Sequence, residues 1–261
     1  MVAENRYLVI LGEIEDHGSV SVVDLARRLG VSEMTIRRDL ADLEKEGSLR
    51  RVHGGAVSAR GRSYEPPLVL RAVENKTAKQ KIAALAASLV ADGDSLALDV
   101  GTTTLELANH LAGRRNLTVI TSSLYIANRL FSQPDIRLIL SGGILRNGEA
   151  SLVGDLAHRA YADLFVDRLF LGVGAVHAQS GLTEYNWDDA LVKQAMIRCA
   201  KEVILLADAS KFNRIAFARV APLSAVHQLV CDRLPGKDLL DECSRLGVVV
   251  HVAPEREEEP A

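Results

Sequence analysis

Short apolar runs recur through the C-terminal part of the chain, and helical patterns lie between most of them. Each run is continuous rather than alternating, which is typical of strands that are buried on both faces of a sheet. Strands of this kind, joined by helices, form a mainly parallel sheet with helices on both sides. The sequence therefore predicts an α/β fold, with strands at Ser95–Val100, Leu117–Thr121, Ile136–Ser141, Leu169–Val173, Val203–Ala207, Val226–Cys231 and Val248–Val252.

The N-terminal part has a different pattern, which predicts three helices in close succession. Residues 5–17 carry apolar side chains at helical spacing. Ser21 is a suitable N-cap for a short second helix that Gly30 ends, and Ser32 can cap a third helix that Gly47 ends. The buried positions expected along these helices are Tyr7, Ile10, Leu11, Ile14, Leu25, Ala26, Leu29, Ile36, Leu40 and Leu43.

A strand, a Gly-Gly turn and a second strand are predicted directly after the third helix, over residues 48–57. Three helices and a hairpin are the outline of a winged helix-turn-helix. From Ser58 to Pro67 the sequence is rich in Arg, Gly, Ser and Pro without periodicity, as expected of a linker. The 261 residues are thus expected to form a small domain at 1–57, a linker at 58–75, a larger domain at 76–252 and an acidic tail at 253–261.

The formal net charge of −3 gives no overall sign of nucleic-acid binding, so such a function must rest on a local pattern. Neither an apolar stretch of about 18 residues nor a secretory leader is evident, which favours a cytoplasmic protein without a membrane segment. Cys199, Cys231 and Cys243 lie among apolar residues without metal-ligand spacing. We expect these cysteines to be reduced packing residues, and we expect no metal and no cofactor.

The third helix carries basic residues on the face opposite its apolar edge. Met34, Arg38 and Lys45 lie there, with Thr35 and Arg37 at the flanks. In a helix-turn-helix this helix enters the major groove, where an Arg side chain can bind guanine through two hydrogen bonds. The structural alternative is a solvated charged face.

The predicted hairpin and its exit favour the DNA-binding interpretation. Residues 50–62 contain no acidic residue, and their basic residues are Arg50, Arg51, His53, Arg60 and Arg62. Positive charge gathered on one element suits contacts with phosphates. The expected DNA contacts are Ser32, Met34, Thr35, Arg37, Arg38, Arg50, Arg51 and His53.

In the larger domain, residues 99–104 read Asp-Val-Gly-Thr-Thr-Thr and stand between a predicted strand and a helix. Unpaired amides at a helix start attract anions, Gly101 lets the backbone approach closely, and the threonine hydroxyls add donors. Capping would explain one threonine but hardly three. The turn therefore predicts a phosphate site at Gly101, Thr102, Thr103 and Thr104.

Further polar loops follow other predicted strands. Ser122 and Ser123 follow one strand, Gly142 and Gly143 follow another, and Lys211 follows a third. Ligands of open α/β sheets bind outside the carboxyl ends of the strands, so these loops are predicted to line one pocket. Each is weak evidence alone, because a Gly-Gly pair is commonly just a turn and Lys211 has the alternative of a surface lysine.

Several motifs stand together in a characteristic order. In the N-terminal part they are Val20–Ala26, Thr-Ile-Arg-Arg-Asp-Leu at 35–40 and His-Gly-Gly-Ala at 53–56. In the larger part they are Leu-Asp-x-Gly-Thr-Thr-Thr at 98–104, Leu-Ser-Gly-Gly-x-Leu-Arg at 140–146, Gly-Leu-Thr-Glu at 181–184 and Asp-x-Ser-Lys at 208–211. This combination resembles the DeoR family of transcriptional regulators over nearly the whole chain.

The resemblance implies an N-terminal winged helix-turn-helix that binds double-stranded operator DNA. It implies a larger α/β sensor domain similar in fold to ribose-5-phosphate isomerase and the coenzyme A transferases. Repression of carbohydrate-metabolism genes, release by a phosphorylated sugar and a homo-oligomer, either dimer or tetramer, are further expectations from the family. The effector residues that it implies are Asp99, Gly101, Thr102, Thr103, Thr104, Ser122, Gly142, Gly143, Glu184, Lys193 and Lys211.

Three alternatives accompany this interpretation. An isomerase-like enzyme carrying a DNA-binding domain would need a positioned base, but no Asp-Gly-Ala-Asp-Glu-like pair of carboxylates follows Leu169–Val173, so we expect no enzymatic activity. A sugar kinase would hold Asp-x-Gly-Thr-Thr in a hairpin of a two-lobed domain of about 300 residues, whereas a helix follows here. Activation instead of repression depends on where the operator lies and is not readable from sequence.

Overall fold

The computed structural model describes residues 3–17, 19–58 and 61–254. The chain divides between Glu74 and Asn75 into two compact units. Within the described ranges, none of the helices has both the length and the apolar character needed to span a bilayer. The acidic residues 255–261 of the expected tail lie outside the described residues.

The first unit contains the predicted helices and hairpin. Its elements are α1 (Ala3–His17), β1 (Ser19–Ser21), α2 (Val22–Leu29), α3 (Glu33–Lys45), β2 (Leu49–Val52), β3 (Gly55–Ser58) and α4 (Leu68–Val73). The Ser21 hydroxyl accepts a hydrogen bond from the Asp24 amide at 3.4 Å, and Gly30 ends α2 with φ +65°. The apolar edges of α1, α2 and α3 share one core, so the expected packing of the three helices is confirmed.

The hairpin differs from its prediction at the turn. The turn residues are His53 and Gly54, whereas Gly55 already belongs to β3 and pairs with Ser21 of β1. A Cβ atom on Gly55 would lie 1.9 Å from the Val20 carbonyl oxygen. Gly54 therefore supplies the positive φ of the turn, and Gly55 permits the close approach of β1, which completes a sheet of order β1-β3-β2.

Part of the expected linker is helical. In α4, Leu68 and Leu70 are buried, and Leu70 joins the core formed by α1, α2 and α3. Two apolar side chains among prolines carry too little periodicity to be recognised as a helix. The segment 68–73 is consequently built into the first unit rather than free between the two units.

The second unit is a parallel α/β sheet with additional short strands. Its strands are β4 (Ser95–Leu98), β5 (Leu117–Thr121), β6 (Ile136–Leu140), β7 (Ile144–Arg146), β8 (Ser151–Val153), β9 (Val166–Leu171), β10 (Ala175–His177), β11 (Gly181–Glu184), β12 (Ala200–Leu206), β13 (Ala218–Ala221), β14 (Gln228–Cys231) and β15 (Val249–Val252). Its helices are α5 (Lys76–Ser88), α6 (Thr102–Asn109), α7 (Leu124–Leu130), α8 (Asp155–Arg159), α9 (Trp187–Cys199) and α10 (Lys237–Leu246).

Every predicted apolar run becomes a strand of one seven-stranded sheet of order β15-β14-β12-β9-β4-β5-β6. All neighbouring strands in it run parallel, which confirms the predicted α/β architecture. A small antiparallel sheet, β10-β11-β13, and the hairpin β7-β8 were not predicted. Their strands have three or four residues, too few to show an alternating pattern.

Helices cover the main sheet on both faces. Leu96 and Leu98 of β4 pack on one face with α5, α6 and α7, and Ala97 packs on the other with α8, α9 and α10. Cys199, Cys231 and Cys243 are buried in this second layer, as expected of packing residues. The sheet grows from β4 to β6 in one direction and from β9 to β15 in the other. The carboxyl ends of β4 and β9 therefore flank a topological switch point, where open α/β sheets bind their ligands.

Replacing Gly55 with Ala should loosen the three-stranded sheet of the first unit. The new methyl group collides with the Val20 backbone, and a clash of this kind costs about 1–3 kcal/mol or more. Hydrogen exchange of the amides in residues 19–21 and 49–58 should become faster. Gly12→Ala is the matched control, because its Cβ meets no atom within 4 Å and alanine favours the helix. Equal protection in both variants would contradict the close approach.

Candidate functional site

The third helix starts at a well-formed cap. The Ser32 hydroxyl accepts a hydrogen bond from the Thr35 amide at 3.1 Å and lies 2.9 Å from the Thr35 hydroxyl. Ile36, Leu40 and Leu43 turn into the core and are fully or almost fully buried. The opposite face is therefore held toward solvent, and Met34 on it is 70% exposed.

A buried ion pair fixes α3 against α1. Asp39 is 3% exposed, and its carboxylate receives hydrogen bonds from Arg6 Nε at 2.7 Å and Nη2 at 2.9 Å. This bidentate geometry orients the helix and also neutralises the carboxylate. Asp39 consequently adds no negative charge to the exposed face of α3.

The other acidic residues of α3 are each engaged by a neighbouring cation. Glu33 pairs with Arg37 at 3.0 Å, Asp42 with Lys45 at 3.3 Å, and Glu44 with Arg51 at 2.7 Å. Exposed pairs of this kind contribute little stability. They neutralise some of the basic side chains and leave others without an ion pair.

On α3 and the hairpin, as far as the structure describes them, Arg38 and Arg50 are the cations that remain without an ion pair. Both are exposed, and within the described ranges neither has an ion pair; His53 at the hairpin turn is exposed as well. A groove of about 330 Å³ lies between α3 and the hairpin, with Arg37, Arg51 and His53 on its walls. Arg60 lies outside the described residues. The first unit thus presents free guanidinium groups on the helix and the hairpin that were predicted to contact DNA.

The second unit contains a buried charge cluster at its switch point. Lys193 of α9 pairs with Asp99, directly after β4, and its Nζ lies 3.4 Å from Glu184 Oε2 of β11. Nζ also donates to the Gly172 carbonyl oxygen at 3.3 Å, while the Gly172 amide donates to Asp99 Oδ2 at 2.9 Å. The lysine therefore connects the loops after β4 and β9 with the end of β11.

The Lys193–Asp99 pair shifts the pKa values of both of its members. Burial by itself lowers the pKa of Lys193, but the carboxylates of Asp99 and Glu184 raise it by more, so its pKa lies above the ordinary value. Burial raises the pKa of Asp99 to about 6, although Lys193 opposes that change. Lys193 is buried, and its ammonium group is engaged within the protein by hydrogen bonds to Asp99 and Gly172 and by the ion pair with Glu184.

The predicted phosphate turn forms the start of α6. Gly101 adopts φ +136°, and the first helical hydrogen bond runs from the Leu105 amide to the Gly101 oxygen at 3.0 Å. The amides of Thr102, Thr103 and Thr104 precede that bond at the positive end of the helix. The Thr104 hydroxyl donates to the Gly101 oxygen at 3.0 Å, so it shapes the turn.

Three other predicted effector residues have structural partners. Ser122 is fully buried, and its hydroxyl lies 2.8 Å from the Tyr161 hydroxyl. Gly143 has φ +121°, and a Cβ there would lie 2.5 Å from the Val153 oxygen of β8. Gly142 is an exposed turn glycine with φ +70°. The geometry gives these residues roles in shaping loops.

Lys211 follows β12 at the end of a short 3₁₀ turn, Ala209–Lys211. Asp208 caps this turn by accepting a hydrogen bond from the Ser210 amide at 3.0 Å. The Lys211 ammonium is half-buried and has no ion pair among the described residues. It therefore differs from Lys193, which is paired with Asp99 and Glu184.

Sequence reasoning missed several residues that hold the site together. A Cβ on Gly174 would lie 2.8 Å from Glu184 Oε1, so this glycine makes room for the charge cluster. Asp189 of α9 pairs with Arg146 of β7 and accepts from the Ser151 hydroxyl at 3.2 Å, which anchors the β7-β8 hairpin. The Gly-x-Gly sequence after β9 could have indicated the role of Gly174. No local pattern indicates that Asp189 pairs with Arg146.

Two family models match the chain. The model described as a DeoR-like helix-turn-helix domain matches residues 6–61, and the model described as a DeoR C terminal sensor domain matches residues 74–233. Both compact units are therefore represented in the same family.

Curated relatives match over most of their lengths. An uncharacterized HTH-type transcriptional regulator, FruR of Bacillus subtilis, is 36% identical over 85% of this chain and 88% of its own. The HTH-type transcriptional repressor GlcR of the same organism is 35% identical over 98% of this chain and 99% of its own. The putative aga operon transcriptional repressor of Escherichia coli O157:H7 is 33% identical over 92% of this chain and 90% of its own.

Solved structures match part of the chain. Ribose 5-phosphate isomerase A from Methanocaldococcus jannaschii matches 53% of this chain and 55% of its own, with 21% identity and a TM-score of 0.40. The eIF2B delta subunit from Chaetomium thermophilum matches 62% of this chain and 57% of its own, with 19% identity and a TM-score of 0.45.

Replacing Lys193 with Met should destabilise the second unit by about 3–5 kcal/mol, because Asp99 and Glu184 would remain buried without their cation. The only tryptophan, Trp187, lies on the same helix, so its fluorescence during urea unfolding reports on this unit. The exposed Lys201→Met is the control and should change stability by less than about 0.5 kcal/mol.

The loss in Lys193→Met should be smaller at about pH 5 than at about pH 7. A carboxyl whose pKa is higher in the folded protein than in the unfolded chain binds its proton more tightly when folded. Protonation of Asp99 then removes an unpaired buried charge, so the variant gains stability as pH falls. A variant as stable as Lys201→Met at both pH values would contradict the assigned cluster.

Proposed function

The chain belongs to the DeoR family of transcriptional regulators, and on this premise we propose that it represses genes of carbohydrate metabolism and leaves its operator when a phosphorylated sugar binds the second unit. The observation that carries the DNA-binding half is the free charge of Arg38 and Arg50 beside a capped, firmly packed α3. In a helix-turn-helix the N-terminal half of this helix meets base edges. Arg38 then reads a base, and Arg50 contacts phosphate from the hairpin.

Repression is supported by the relatives. Two proteins that align with more than nine tenths of this chain are named repressors, GlcR and the putative aga operon repressor. A regulator that covers promoter DNA represses by exclusion, and a metabolite that favours its DNA-free form restores transcription. We propose that this chain works in the same way.

The sensing half rests on the switch point of the main sheet. The amides of Thr102, Thr103 and Thr104 offer donors at a helix start, and Lys211 offers an unsaturated positive charge after β12. Both features suit a phosphate group. The Lys193 cluster then fixes the loops of the pocket instead of touching the effector.

The geometry favours binding of the effector without its conversion to a product. Gly172, Val173 and Gly174 follow β9, where a catalytic carboxylate would be needed, and the nearby Asp99 and Glu184 are held by Lys193. Proton transfer between sugar carbons needs a base that reaches its substrate. An isomerase activity is therefore not part of the proposal.

We further propose that the protein acts as a homo-oligomer, a dimer or tetramer. Two recognition helices related by symmetry bind two half-sites of an operator, which raises affinity without further contacts. This arrangement compensates for the small number of free cations on each α3.

Arg38→Ala should weaken operator binding by about 1–3 kcal/mol and relax the preference at one base pair, because a two-pronged base contact is lost. Arg50→Ala should instead weaken binding to all sequences and lower the salt-dependence slope by about one. Fluorescence anisotropy measures both effects on a duplex selected by the wild type from random sequences. Arg245→Ala, exposed on α10 and paired with Glu242, is the control. Unchanged affinity of Arg38→Ala would disprove its place in the groove.

A thermal-shift screen of hexose and pentose phosphates should identify ligands that stabilise the second unit, by about 2.7 kcal/mol at 100 times their Kd. Lys211→Met should lose this shift, because the phosphate loses its cation, whereas Lys201→Met should retain it. Product analysis of the same mixtures should find the sugars unchanged. Turnover that is lost in Glu184→Gln would establish the enzyme alternative instead.

A further inference from the structure

Asn75 stands at a position where both units meet along the chain. It is the first residue of the second unit, and it separates α4 from α5 together with Glu74. Leu70 of α4 is buried in the core of the first unit, and residues 71–74 separate it from Asn75 along the chain. The sequence predicts a linker at 58–75, which includes this position.

The side chain of Asn75 is bonded to the loop that bears Lys211. Asn75 Nδ2 donates to Asp208 Oδ1 at 3.2 Å, although the two residues are 133 positions apart. Asn75 itself adopts a left-handed conformation, φ +51° and ψ +32°, and makes no side-chain capping bond to α5. Asparagine tolerates this region better than most residues, and its side chain is turned to Asp208 rather than to the start of α5.

Asp208 is a shared acceptor. Its carboxylate is 2% exposed, and the same Oδ1 atom accepts from the Ser210 amide at 3.0 Å and from the Ser210 hydroxyl. These Ser210 bonds shape the turn that ends at Lys211, and the Lys211 amide donates to the Asp208 oxygen at 3.0 Å. Any rotation of the turn changes the bonds that compete with Asn75 for one oxygen atom.

We propose that the Asn75–Asp208 hydrogen bond transmits occupancy of the Lys211 loop to the junction between the units, so that Asn75 is a positioning residue for effector-driven release of DNA. The inference rests on the proposed sensing function. When Lys211 binds a phosphate, the turn moves and the hydrogen bonds that Asp208 Oδ1 accepts change. Asn75 then shifts, together with α4, which precedes it in the chain. Coupling of this kind needs a bond that differs between the two states, not a ligand contact.

The test uses Asn75→Gly, which keeps the left-handed backbone accessible and removes only the amide. Operator affinity is measured by anisotropy with and without the phosphorylated sugars that shift the melting temperature, and inorganic phosphate serves as the minimal probe. In the wild type these ligands should lower operator affinity by about 5- to 150-fold. In Asn75→Gly the ligand-free operator affinity and the ligand affinity should stay unchanged, while the fold-change falls toward one.

Two further variants complete the experiment. Asn75→Asp sets a second carboxylate against Asp208 and should also uncouple, while the polar side chain still tolerates the left-handed conformation. Asn116→Gly is the matched control, because Asn116 has φ +56° in the same unit and no side-chain hydrogen bond is described for it. This control should respond to ligand as the wild type does.

The outcomes separate the two proposals. A wild type whose operator binding responds to none of the probes overturns the sensing function, and the inference falls with it. A responsive wild type with an equally responsive Asn75→Gly overturns the inference alone. Loss of ligand binding in Asn75→Gly would place Asn75 in the pocket and likewise overturn its role as a relay.

Discussion

The ion pairs of Lys193 are the interaction on which the second unit depends. One buried ammonium group joins the ends of β4 and β9 to β11, and two carboxylates and a backbone carbonyl satisfy it. Buried charge is costly to desolvate, so such a cluster adds little net stability compared with apolar packing. Its effect is geometrical: loops that leave the sheet in different directions are held at fixed distances, and the crevice between them keeps its shape.

In the first unit, the charges proposed to act in binding are exposed and unpaired rather than buried and paired. There Asp39 is neutralised by Arg6 inside the fold, and the surface carboxylates of α3 are matched by nearby cations. Among the described residues of α3 and the hairpin, Arg38 and Arg50 are the cations without an ion pair. A chain with a net charge of −3 can bind DNA in this way, because contacts depend on where free cations lie rather than on their sum.

The sequence predicted the main sheet and the three helices because their signals are local: continuous apolar runs, caps and spacing. It did not predict α4, since Leu68 and Leu70 stand beside prolines and look like linker, or β1, whose pairing becomes visible only through the close approach at Gly55. Lys193 entered the predicted site only through the family resemblance, because its partner Asp99 is 94 positions away and no local pattern indicates the pair. Local patterns thus identify helices and strands. Which charged side chains have an ion-pair partner depends on contacts between segments that are distant in the sequence.

That distinction also decides which lysine can sense a ligand. Lys193 is buried and paired with two carboxylates, so binding an anion would require these contacts to break, and this lysine is suited to hold a pocket rather than to report its occupancy. Lys211 lies on a short turn with an unsaturated charge, and the turn is held by Asp208, a single acceptor that Asn75 shares. Small changes in such a shared hydrogen bond cost little energy. Under the proposed sensing function, the Lys193 cluster fixes the shape of the pocket, whereas the Asn75–Asp208 hydrogen bond lies beside the chain segment that joins the two units and can change when an effector binds.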